Sequence, residues 1–287
     1  MRSIGPLRSR YETPPQYEAP GQDATREPRG ADGPASGADG PASGADGPAM
    51  SGPTAPDGLP PVEGGITRDL LMSGALRAQL AQAMPDLRLT SEAERHASLQ
   101  AMLAARPERG CGLWVFAYGS LIWNPAMLIS GRRIATAIGY HRSFCLSVRM
   151  GRGSPDKPGA MLGLRAGGTC PGVVLRLAEA DVAHELDLLW RREMVADGYI
   201  PHWVPIAGEN GEDLGAAIAF TINPTQDSYC GDLPEAEIIE RLATASGRLG
   251  TGAEYLFRTR DGLAAMGVFD PYLDRIAAAV TARMALD

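Results

Sequence analysis

The chain has 287 residues, 44% of them hydrophobic, and a formal net charge of -7 from 34 acidic and 27 basic side chains. That length leaves room for one main domain of roughly 100–200 residues and an appendage. The acidic excess is spread out, and no Lys/Arg cluster with interleaved aromatics tracks a phosphate backbone, so no nucleic-acid partner is expected.

The first residues, MRSIGPLRSRYETPP, lack the apolar run of a signal peptide, and no apolar stretch approaches the ~18 residues that cross a bilayer. The expectation is a cytoplasmic protein with no membrane insertion. Residues 1–65 hold 12 prolines and 12 glycines, and 31–44 are two copies of ADGPASG followed by a partial third. No repeat position carries a large apolar side chain, so this tail has no seam to bury and is expected to be disordered.

Order is expected from Ile66, giving a domain over 66–287. ITRDLLMSGALRAQLAQAM and SEAERHASLQAMLAA read as two helices, the second opened by a capping box from Ser91 to Glu94. LWVFAY (113–118) reads as a buried strand, RIATAIGYHRSFCLSV (133–148) as one or two strands broken at Gly139, and GVVLRL (172–177) as another. The glycines of GRGSPDKPGAMLG (151–163) predict a flexible, lid-like loop. A helix over about 181–195 stops at Asp197-Gly198, WVPIAG and GAAIAFTI are strands around a turn, and three helices finish the chain. Strands gathered between helices indicate α+β.

Cys111, Cys145, Cys170 and Cys230 contain no C-x-x-C pair, and His96, His141, His184 and His202 show no H-x-x-x-H spacing, so no metal is expected and the thiols read as reduced and mostly buried. Ser120 lies outside a G-x-S-x-G elbow, which argues against a serine hydrolase. Arg142, Arg149 and Arg152 are candidates to balance an anionic substrate.

Projected at 100° per residue, Val182, Leu186 and Leu189 form the buried stripe of the 181–195 helix, and Glu193 is next on it. Such a carboxylate is either satisfied by a neighbour such as Arg165 or Arg176 or points into a cavity. Its place in the last turn, at the negative end of the helix, together with burial, favours the proton and suits a general base. The apolar run LWVFAYGSLIWNP (113–125) breaks at Tyr118-Gly119-Ser120. A strand ending in Gly-Ser is either a plain turn or a set of backbone N–H groups aimed at a ligand.

WVFAYGSLIWNP (114–125), GYHRSFCL (139–146), GSPDKPGAMLGL (153–164), LLWRREMVADGY (188–199), YCGDLP (229–234) and ASGRLGTGAEYL (245–256) follow one another in this order. Over about 113–283 the chain thereby resembles the ChaC-type γ-glutamylcyclotransferases. The resemblance implies a small closed β-barrel with flanking helices and cofactor-free conversion of glutathione to 5-oxoproline and cysteinylglycine. It also implies Glu193 as catalytic residue, within an R-E segment that leads to Tyr199. The substrate-binding residues it implies are Val115, Phe116, Ala117, Tyr118, Gly119, Ser120, Leu121 and Tyr199. Ala117 departs from a common glycine, and Asp197-Gly198 replaces a glycine pair. Other readings are a cyclotransferase for other γ-glutamyl amino acids or amines, a hydrolase, and a non-enzymatic regulator of cation transport.

Overall fold

The computed structural model describes residues 65–107 and 112–286. The Pro/Gly-rich repeats and Cys111 lie outside the described residues. Five strands close into a barrel: β1 (Leu113–Ala117), β2 (Gly131–Val148), β3 (Gly159–Leu177), β4 (Tyr199–Ala207) and β5 (Asp213–Ile222), in the spatial order β1-β3-β2-β4-β5. β1 runs antiparallel to β3, from Leu113 opposite Leu177 to Ala117 opposite Val173. Closure comes from a parallel contact of β5 on β1, where Val115 faces Ile218. The α+β barrel implied by the motif order is therefore the fold.

The frame of the barrel is a β2–β3 hairpin that pairs from Gly131–Arg176 to Val148–Gly159 and shifts register at Ile138/Tyr140 and Phe144/Leu146. Gly139, φ +83°, occupies the first bulge, so the break read there is a bend within one strand. Two expectations are corrected. The strand read as 172–177 begins at Gly159, so only the first part of the expected lid is loop. Gly159 is a site of close approach and not a breaker, because a Cβ there would lie 2.2 Å from the Arg152 carbonyl oxygen. The segment read as one leading helix is two, α1 (Arg68–Met72) and α2 (Ala75–Ala83), parted at Gly74, φ +72°.

Helix α3 (Glu92–Ala104) starts on the expected capping box, with Ser91 accepting from the Glu94 amide and Glu94 accepting from the Ser91 amide. Helix α4 (Val182–Glu193) buries Val182, Leu186 and Leu189 as its spacing dictates, and Trp190 meets Phe220 of β5 edge to face at 5.2 Å. After β5 come α5 (Glu235–Thr244), a two-residue hairpin of β6 (Ser246–Gly247) and β7 (Gly250–Thr251), α6 (Gly252–Ala264) and α7 (Pro271–Met284). No helix among the described residues is long and apolar enough to cross a membrane.

Helix α1 is fastened to α4 by a carboxylate with almost no access to water. Glu185 is 1% exposed and accepts from Arg68 Nη1 and Nη2, at 2.6 and 2.7 Å, and from the Leu128 amide at 2.9 Å. Burial pushes its pKa up, but the guanidinium and the amide outweigh that and hold it below the ordinary 4.5. Arg68→Ala leaves the carboxylate with the Leu128 amide alone and is expected to cost about 2 kcal/mol, less than a fully buried pair because Arg68 is partly hydrated. The pair's contribution is full above pH about 4.5 and is lost as the pH falls through the lower folded pKa. Urea unfolding of both proteins across that range checks it; equal midpoints at neutral pH would refute the role.

Candidate active site

The strand β1 delivers the chain to the mouth of a cavity of about 250 Å³ between the barrel, the C-terminal end of α4 and helices α1 and α2. Tyr118 is buried; its hydroxyl donates to the Phe220 carbonyl at 2.7 Å, and its own carbonyl accepts from Arg142 at 2.9 Å. Both ends of the residue are thus tied down before the chain turns. Gly119 is required by its neighbour, since a Cβ would lie 2.8 Å from the Tyr255 hydroxyl. The next residues, Ser120–Ile122, form a single 3-10 turn in which the Ile122 amide donates to Gly119 at 3.0 Å and the Asn124 amide to Ser120 at 2.8 Å. The Ser120 and Leu121 amides precede these bonds and have no acceptor within the turn.

Glu193 is the last residue of α4, and its side chain is 14% exposed on the cavity wall. Burial raises its pKa, while the Arg192 guanidinium opposes the rise without cancelling it. The two alternatives for this carboxylate are realised together. It faces a cavity, and it is paired, but with Arg192 (Nε to Oε1, 2.8 Å) and not with Arg165, which is bonded to Asp232, or with Arg176. Arg192 also donates from Nη2 to Ser120 Oγ at 2.8 Å and from Nη1 to the Asn124 carbonyl. One buried guanidinium therefore couples the serine of the turn to the carboxylate of the helix, 73 positions apart in sequence.

Tyr118, Gly119, Ser120, Leu121, Glu193 and Tyr199 all line the cavity. Val115, Phe116 and Ala117 do not; they lie behind it in β1, fully buried in the barrel core. Burial pushes the Tyr118, Tyr199 and Tyr255 hydroxyls upward in pKa, so near neutral pH they are protonated donors. Of the arginines singled out in sequence, Arg142 is engaged with Asp270 and the Tyr118 carbonyl. Arg152 bonds the Thr251 carbonyl and Glu254, and neither lines the cavity.

Among the wall residues given no role from sequence are Arg192, Tyr255 and Arg248. Arg192 stands seven residues after Glu185 on the same helical face, but the burial of both shows only in the fold. Tyr255 and Arg248 sit within a recognised motif, but nothing in their spacing indicates which face they present.

The family model described as ChaC-like protein matches residues 113–283. The chain is 40% identical over 215 residues to the glutathione-specific γ-glutamylcyclotransferase of Escherichia coli K12, covering 75% of this chain and 92% of that protein. It is 33% identical over 187 residues to glutathione-specific γ-glutamylcyclotransferase 1 of Mus musculus, covering 62% and 83%. The fold is similar to a crystal structure of a glutathione-specific γ-glutamyl cyclotransferase from yeast, with TM-score 0.54 and 20% identity over 60% of this chain and 97% of that one.

Proposed function

The chain belongs to the ChaC-like family, and we propose that it is a glutathione-specific γ-glutamylcyclotransferase that releases 5-oxoproline and cysteinylglycine. The observation that carries this reading is the meeting of Glu193 and the Tyr118–Leu121 turn on one cavity wall, joined through Arg192. Glutathione contains its own nucleophile: the α-amine of the γ-glutamyl group closes a five-membered lactam on the γ-carbonyl. The protein's task is to fold the substrate so that these atoms meet, to move protons, and to steady the oxyanion.

In this mechanism Glu193 takes a proton from the α-ammonium. The amine forms the new C–N bond, and the carbonyl electrons move to oxygen. As they return, the bond to cysteine nitrogen breaks, and Glu193 gives its proton to the departing amine. The second ammonium proton, still on the ring nitrogen, follows it, leaving a neutral lactam N–H and the cysteinylglycine ammonium. No net proton is consumed. The backbone of Tyr118–Leu121 grips the γ-glutamyl moiety. Because Arg192 donates to the Ser120 oxygen, the serine hydroxyl proton is left to bond substrate. Tyr199, a protonated donor, lines the same pocket. We place the reaction in the cytoplasm, where the free Cys145, Cys170 and Cys230 would stay reduced.

Incubation of the purified protein with glutathione, γ-glutamylalanine and γ-glutamyl-ε-lysine tests this. The expected result is 5-oxoproline from glutathione at a rate well above the other two. Free glutamate in its place would mean water, not the internal amine, is the nucleophile. Equal rates for all three would reject the specificity.

A further inference from the structure

Among the described residues three charged side chains line the cavity: Arg192, Glu193 and Arg248. The first two are paired with each other, and the three nitrogens of Arg192 are engaged by Glu193, Asn124 and Ser120. Arg248 is exposed, faces the cavity, and makes no ion pair or hydrogen bond among the described residues. The cavity thus carries the compensated Arg192–Glu193 pair and, from the β6–β7 tip, one positive charge without a partner among the described residues.

The backbone that presents Arg248 is held firmly. Arg248 and Leu249 form the tip of the β6–β7 hairpin, whose paired residues are Ser246–Thr251 and Gly247–Gly250. The Leu249 amide donates to the Gly151 carbonyl at 2.8 Å, and a Cβ on Gly247 would lie 2.4 Å from that same oxygen, so the hairpin lies directly on the 150–153 segment. Beyond the tip, the Thr251 carbonyl accepts from the buried Arg152 and the Thr251 hydroxyl caps α6. A solvating arginine needs no such support; one that must meet a ligand group at a fixed place does.

We propose that Arg248 is a specificity-determining residue that binds the distal carboxylate of the substrate's leaving peptide. This rests on the γ-glutamyl reading of the site. The γ-glutamyl end of glutathione bears one ammonium and one carboxylate and is neutral as a unit, matching the Arg192–Glu193 pair. The charge left over is the carboxylate of the terminal glycine, and the charge left over on the wall is Arg248. A γ-glutamyl compound whose leaving group lacks a carboxylate at that distance gains nothing from it, which gives a physical origin for choosing a tripeptide.

The test compares glutathione with its glycine ethyl ester, for wild type, Arg248→Met and Arg248→Lys. Loss of one charge-assisted contact at a hydrated site is expected to raise KM for glutathione about 10-fold in Arg248→Met, with the effect falling chiefly on KM. The ester, already without the carboxylate, should be affected by less than about 2-fold. Arg248→Lys should recover part of the loss, since it keeps the charge without the fork. Equal effects on glutathione and ester, or none on glutathione, overturn the proposal. Binding of both ligands to Glu193→Gln protein, with and without Arg248→Met, separates the two readings. Discrimination for the free carboxylate that vanishes with Arg248 upholds this inference even if the wild type forms no 5-oxoproline. Turnover without such discrimination upholds the reaction and rejects Arg248.

Discussion

Glu193→Gln is expected to lower kcat for 5-oxoproline formation by at least ~100-fold while changing KM for glutathione far less. The amide has the shape of the carboxylate, and its oxygen can still accept from Arg192 Nε, so the wall of the cavity is retained. What is lost, on the proposed mechanism, is the ability to take a proton from the substrate's ammonium and to return it to the leaving amine. The pH profile gives the sharper readout. Burial holds the Glu193 pKa above the ordinary 4.5, so kcat/KM of the wild type should fall as the pH drops through that raised value. The glutamine variant should lack that limb. Substantial turnover in a folded Glu193→Gln protein would remove the residue from the mechanism.

Arg192→Met should reduce turnover near pH 7 by about 100-fold, through Glu193 and Ser120 and not through substrate. Arg192 is the positive charge that opposes the desolvation of Glu193. Without it the carboxyl holds its proton to higher pH, and the acidic limb of kcat/KM moves upward, so part of the activity should return in alkaline buffer. The same substitution frees the Ser120 hydroxyl and the Asn124 carbonyl, which fix the turn. Arg192→Lys keeps the charge but cannot reach three partners at once, so its limb should lie between wild type and methionine. A purely structural role predicts a loss independent of pH, and parallel profiles would establish that instead. Thermal melting of each variant checks that the fold persists.

Helices α3 and α4 were legible because their signals are local. Ser91 and Glu94 write a cap within four residues, and Val182, Leu186 and Leu189 write a face within eight. Barrel closure was not legible from residue spacing, since it rests on Val115 meeting Ile218 in a parallel contact between strands a hundred residues apart. The motif order supplied that fold by resemblance. The first half of β3 was hidden because glycine marks both a turn and a place where backbones touch, and only the partner tells which.

The candidate site divides the same way. Glu193 stood out because a charge on an apolar stripe is a local contradiction. Arg192 escaped notice because its meaning depends on where Ser120 and Asn124 fall in space. Gly119 could be read as permissive, but the reason it cannot be larger, the hydroxyl of Tyr255, lies more than a hundred positions away. Arg248 belongs to a hairpin of two-residue strands that no periodicity announces.

The bond from Arg192 to Ser120 has a consequence for what this cavity refuses to do. A serine becomes a nucleophile when a neighbouring base draws off its proton. Here the group on the Ser120 oxygen is a permanent cation that donates to it and cannot draw off its proton. Acylation of Ser120 is thereby disfavoured, and on the proposed mechanism the substrate's own amine is left as the nucleophile. Serine-directed electrophiles would find in this cavity an oxygen already held by its neighbour.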